Sequence, residues 1–92
     1  MDNSDLETKI MKYISENFLY RTDYNNVDKG ASLIGSGIFD STGILEIITY
    51  LEEKLNIKVE DEEVIPDNFD SINAITTFTR KKLDGIAKGE AI

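Results

Sequence analysis

One stretch of this chain sets a serine hydroxyl where a phosphate can be attached and held: Gly37-Ile38-Phe39-Asp40-Ser41-Thr42-Gly43-Ile44-Leu45-Glu46-Ile47. Asp-Ser stands here at the predicted mouth of a helix, after a glycine-bearing loop. A helix N-terminus has N–H groups without intrahelical partners and the positive end of the helix dipole. A phosphodiester on Ser41 Oγ would sit in that field. The hydroxyl would face solvent at the tip of a rigid element, within reach of a modifying enzyme. Plain helix capping by Asp40 or Ser41 explains the same dipeptide. The chain also carries its own control, since Phe69-Asp70-Ser71 repeats Phe39-Asp40-Ser41 at another predicted helix start. The tripeptide alone therefore does not choose between attachment and capping.

Most other chemistry is closed to these residues. There are no cysteines and no histidines. Thiolate metal sites, disulfides, Ser-His-Asp and Cys-His catalysis and histidine-rich zinc sites are all absent. Any reactive thiol must be added to the protein. Asp23-Tyr24-Asn25-Asn26-Val27-Asp28 suggests a calcium loop, but counting from Asp23 the fifth, sixth and twelfth positions are Val27, Asp28 and Ile34. An EF-hand needs an oxygen ligand, glycine and glutamate there. No catalytic or metal site is expected, and no enzyme activity.

The 92 residues allow one compact domain, with its ordered part at about 4–84 and a frayed tail over 85–92. The formal net charge is −8, which speaks against nucleic acid and anionic membranes as partners. Residues 40–70 hold ten acids and two bases, so the middle third carries an excess equal to that of the whole chain. Such a run is either a solvated face or an acidic docking surface for basic partners. The start of the chain is polar and acidic, and no run reaches the ~20 apolar residues of a membrane span. The expectation is a monomeric cytoplasmic protein without membrane insertion.

Ser4 and Glu7 form a capping-box pattern ahead of Leu6, Ile10, Ile14 and Phe18, with Tyr13 beside them. This predicts a first amphipathic helix over about 4–19. Residues 20–40 lose the period and read as a long loop pinned by Leu33, Ile34, Ile38 and Phe39. A second helix starts at Asp40 or Ser41 and runs to about Asn56. Ile44, Ile47, Ile48, Leu51 and Leu55 share an arc of roughly 100° on it, and Gly43 falls in its first turn. Leu45 lies off that stripe among Glu46, Thr49, Glu52 and Glu53. Ile57 and Val59 follow, then Glu60-Asp61-Glu62-Glu63 and Val64-Ile65-Pro66. A short helical turn there is expected to bury Val64 and Ile65 and to end at Pro66. The last helix is predicted from Ser71, with Ile72, Ile75, Phe78, Thr79 and Leu83 in register. Arg80, Lys81 and Lys82 fall in its final turns, and Gly85 is the expected stop. The fold class is all-α, a small antiparallel bundle of three main helices and one short one.

This order of elements, with Asp40-Ser41 opening the second helix and Leu45-Glu46, Leu51-Glu52-Glu53, Ile57 and an acidic short helix behind it, resembles the acyl carrier protein family. The resemblance covers about residues 4–84. It implies that Ser41 bears a covalent 4'-phosphopantetheine arm taken from coenzyme A, and that Asp40 helps the modifying enzyme recognise the site. It further implies that Asp40, Leu45, Glu46, Thr49, Glu52 and Glu53 form the partner-docking face, and that Ser71 is a helix cap. The implied partners are a phosphopantetheinyl transferase, with its magnesium, a loading ligase for acyl or aminoacyl groups, and acyl-processing enzymes. The implied role is to carry a thioester-bound group in fatty-acid, polyketide or related biosynthesis.

Two positions depart from the family pattern. Thr42 follows the serine where leucine or methionine is common, and Thr49 stands where a long apolar residue is frequent. Ile34 to Ser41 also looks similar to discrete carriers loaded with amino acids. The alternatives are thus a stand-alone aminoacyl or peptidyl carrier and an unmodified acidic helical interaction module. Ile44, Ile47, Ile48, Ile72 and Ile75 at candidate inner positions are stiff at χ1, and only Met1 and Met11 offer soft filler. The cargo is therefore expected to be short or polar and held outside the core.

Overall fold

The computed structural model describes residues 3–19 and 27–87. Residues 20–26 of the predicted loop, with the first part of the candidate calcium run, and residues 88–92 of the predicted tail lie outside the described residues. The described residues form helices and turns, without a strand. The bundle expected from the apolar periods is the observed architecture.

Helix α1, Asn3–Ile14, begins one residue ahead of Ser4. It buries Leu6, Ile10 and Ile14, the predicted stripe, and Met11 beside them. The chain then widens into a π turn over Ser15–Leu19. A π turn holds more residues than an α turn and so shifts the side chains that follow. Phe18, on this turn, sets its ring edge-on to Phe39 at 4.9 Å.

Helix α2, Ser41–Leu55, turns Ile47, Leu51 and Leu55 into the core, with Ile44 and Ile48 half-buried at its margin. Asn56 ends it in the left-handed region, φ 58° and ψ 38°. Asparagine tolerates that conformation better than most residues. The reversal brings Ile57 and Val59 back to the core, both buried.

The acidic segment departs from expectation. A 3-10 turn over Asp61–Glu63 closes before Val64, and a separate one-turn helix α3, Pro66–Phe69, follows. Pro66 opens that helix instead of ending one, because a missing N–H and a fixed φ suit the first helical position. Ile65 is left extended between the two turns. Val64 and Ile65 are 39% and 44% exposed, not buried. Phe69 takes the core position instead, packed against Phe78 at 5.3 Å.

Helix α4, Ile72–Ala87, packs on α1 and α3. Ile72 and Ile75 are fully buried, and Phe78 and Thr79 are buried with them. Gly85 does not stop this helix, which continues through it to Ala87. An internal glycine costs about 1 kcal/mol against alanine, too little to break a helix held by its neighbours. Arg80, Lys81 and Lys82 therefore lie before the last turn. Lys82 instead reaches Glu63, Nζ to Oε1 2.8 Å.

Candidate functional site

Asp40 precedes α2 in an extended conformation, and its Oδ1 accepts the N–H of Gly43 at 2.8 Å. Its carbonyl accepts the N–H of Ile44 at 3.0 Å. Asp40 is thus the N-cap. Ser41 is the first helical residue, exposed, and its hydroxyl is not the group that caps the helix. An α-helix provides no internal partner for the N–H groups of Ser41 and Thr42. They add to the positive end of the dipole beside Ser41 Oγ.

A built loop delivers this end. Leu33 and Phe39 are buried, and Phe39 donates its N–H to the Leu33 carbonyl at 2.9 Å. Gly37 turns the chain between them at φ +83°, where a Cβ is disfavoured. The loop is tied from outside by Asp70. Asp70 Oδ1 accepts Ser32 Oγ at 2.7 Å and the Ile34 N–H at 3.0 Å. Those hydrogen bonds, that from Ser32 foremost, hold the Asp70 carboxyl below its ordinary range. Lys29 gives Asn73 N–H an acceptor in its carbonyl at 3.0 Å, and its ammonium meets Glu7 at 2.8 Å.

Gly43 is more than a tolerated first-turn residue. It is buried, and a Cβ there would lie 3.2 Å from Phe18 Cε1 and 3.6 Å from Phe39 Cδ1. The missing side chain lets both rings pack under the helix mouth.

An open groove of about 390 Å³ starts at Thr42, one residue past Ser41. Leu45, Glu46, Thr49 and Glu53 line it along α2, and Leu45 is 63% exposed. Tyr13, Tyr50 and Lys54 complete it. Tyr13 and Tyr50 stack face to face at 4.0 Å, and Tyr50 donates its hydroxyl to the Lys9 carbonyl at 3.3 Å. Burial raises the Tyr13 hydroxyl pKa above its usual value, and the nearby Glu46 charge adds to it. Burial, then Tyr13, does the same to Tyr50. Both stay neutral phenols at physiological pH.

Four predicted docking residues, Leu45, Glu46, Thr49 and Glu53, are thus brought together beside Ser41. Glu52 is not. It is half-buried, and its Oε2 accepts the Val59 N–H at 3.0 Å. It sits beside the core stripe, where it ties the chain after α2 back to that helix. Ser71 does cap α4, accepting the Ala74 N–H on Oγ at 3.0 Å. Sequence reading missed Thr42, Tyr13 and Tyr50 as groove walls. The signal for Tyr50 was its place on α2 at the flank of the core arc, where it is half-buried, but nothing local pairs it with Tyr13.

Fold and site together define a small helical bundle that presents an exposed serine at a capped helix mouth, beside a groove with an acidic rim. No protein-family model and no curated protein matches this chain. No helix among the described residues is long and apolar enough to cross a membrane.

Proposed function

We propose that this protein is a carrier. It bears a 4'-phosphopantetheine arm on Ser41 and presents an acyl or aminoacyl group, as a thioester on that arm, to partner enzymes of fatty-acid, polyketide or related biosynthesis in the cytoplasm. The observation that carries the reading is the division of labour at the helix mouth. Asp40 caps α2, and this leaves the exposed Ser41 hydroxyl available at the positive end of the dipole. In the modifying step Ser41 Oγ attacks the phosphorus next to pantetheine in coenzyme A. The new Ser O–P bond replaces the P–O bond of the pyrophosphate. Adenosine 3',5'-bisphosphate leaves, and the serine proton passes to a base of the transferase. Magnesium belongs to that enzyme. The arm ends in the thiol that this chain lacks.

Leu45, Glu46, Thr49 and Glu53, with Asp40, form the docking face. Carboxylates there steer basic partners, and such steering weakens with salt.

The test is intact mass after incubation with coenzyme A, magnesium and a phosphopantetheinyl transferase, followed by peptide mapping. One arm on Ser41 is expected, and none on Ser41→Ala. A protein that stays unmodified with an active transferase is an acidic interaction module instead. An arm on Ser71 sinks the assignment.

A further inference from the structure

Asp70 grips the loop ahead of Ser41 with both its backbone and its side chain. Its carbonyl accepts the Leu33 N–H, and its Oδ1 accepts Ser32 Oγ and the Ile34 N–H. Its own N–H goes to the Pro66 carbonyl at 2.9 Å and closes α3. The next residue, Ser71, caps α4. Asp70 thus stands at the junction of two helices, yet neither helix end uses its carboxylate. From Oδ1 the path to the mouth of α2 is short. Ser32 Oγ also accepts the Gly35 N–H at 2.8 Å. The Leu33 carbonyl accepts the N–H of Phe39, the buried neighbour of the Asp40 cap.

We propose that Asp70 is a positioning residue for arm attachment. By holding Ser32 and Ile34 it keeps residues 33–40 in one arrangement, and the Ser41 hydroxyl then stands where a docked transferase can use it. The inference rests on the carrier reading of Ser41 and adds to it a residue from another helix start.

Docking and presentation are separate in this fold. Leu45, Glu46, Thr49 and Glu53 lie beyond the first turn of α2, and Ile47, Leu51 and Leu55 anchor that part of the helix in the core. Those four residues meet a partner in the same way whether the loop is held or loose. The first turn is different. Helix ends open at a lower free-energy cost than buried helix middles, and this end is capped by Asp40, which the loop delivers. A loosened loop therefore leaves binding intact and lowers the fraction of docked carrier whose serine is aligned for attack. Such a change lowers kcat at constant KM. The backbone tie between Leu33 and Asp70 survives any side-chain replacement at Asp70, so the variants keep their fold.

The experiment follows arm transfer from coenzyme A by a phosphopantetheinyl transferase, with the full chain as the varied substrate and intact mass as the readout. Asp70→Ala should lower kcat about tenfold, the low end for lost hydrogen bonds to a charged group, with KM for the carrier unchanged. Asp70→Asn keeps an acceptor oxygen and should fall between. Ser32→Ala should also lower kcat, and Ser32→Thr, which keeps the hydroxyl, should restore it. Ser32→Ala combined with Asp70→Ala should lower kcat by less than the product of the two single effects, since both remove the same bond. Ser71→Ala is the control. It loosens the start of α4 without touching the loop and should leave kcat at the parent value. An equal fall for Ser71→Ala overturns the inference, because any loosening of the junction would then slow transfer. So does a parental kcat for Asp70→Ala. So does a KM that rises at constant kcat, which assigns Asp70 to docking. In each of these cases the arm still arrives on Ser41 and the carrier reading stands. A parent chain that takes no arm overturns both.

Discussion

Phe39-Asp40-Ser41 and Phe69-Asp70-Ser71 are the same three residues at two helix starts, and the fold uses them in opposite ways. Both phenylalanines are buried. In the first segment the aspartate is the cap and the serine is the exposed first helical residue. In the second the serine is the cap, and the aspartate has left the helix end to bind the loop at Ser32 and Ile34. The difference is one residue of register between cap and helix. That shift decides which of two identical serine side chains is spent on capping and which is left exposed at the helix mouth. The two segments are also linked, because Asp70 steadies the loop that delivers Asp40 and Ser41.

The sharpest way to break this comparison is to remove each serine in turn. Ser41→Ala should abolish arm attachment, read by intact mass, while Ser71→Ala should be modified at Ser41 like the parent. Modification that follows Ser71 would reverse the two roles.

Charge reversal comes next in expected effect. Glu46→Lys and Glu53→Lys should each slow arm transfer by about tenfold at low salt, through lost steering. Neither should change the unfolding free energy by more than about 0.5 kcal/mol, as is usual for exposed positions. Glu52→Lys should do the reverse, costing about 1 kcal/mol through its bond to Val59 with a smaller effect on transfer. Equal rates across all three reversals would mean that the acidic rim only keeps the surface solvated.

Gly43 tests the packing under the first segment. Gly43→Leu forces a side chain into the space held by Phe18 and Phe39 and should destabilise the fold by about 1–3 kcal/mol, the range for overpacking. Urea denaturation measures it. Ser71→Ala should cost less, about 1 kcal/mol for a lost cap.

The smallest effect concerns pH at the second segment. Asp70 has a lowered pKa in the folded protein. Its contribution is therefore complete above the unfolded value of about 3.9 and is lost as pH falls through the lower folded value. Hydrogen exchange at the Ile34 amide should accelerate, relative to the rest of the loop, in that acid window. Asp70→Asn should remove this pH dependence. An Ile34 amide equally protected at all pH values would show that the carboxylate does not hold the loop.

What was legible in the chain was local. The apolar period set the three main helices and most of the core, since helical neighbours lie three and four residues apart whatever surrounds them. The Asp-Ser pair at a helix mouth was visible for the same reason, whereas the cap at Ser71 followed only from the resemblance, because the repeated tripeptide does not by itself separate the two roles. Pro66 and Gly85 were misread as stops because each is only a weak local signal. Proline suits a helix's first position as well as its exit, and a helix packed on α1 and α3 carries an internal glycine.

The sequence by itself determined that a serine would stand at a helix mouth, in an acidic chain with neither thiol nor imidazole of its own. Only the tertiary structure decided which carboxylates remain on the surface and which are spent. Glu52 is claimed by Val59, and Asp70 by groups 36 and 38 residues away. The groove beside Ser41 likewise exists only where Tyr13 of one helix meets Tyr50 of another. Contacts between residues so far apart depend on how the loop closes and how the helices pack, and no local period or cap encodes them.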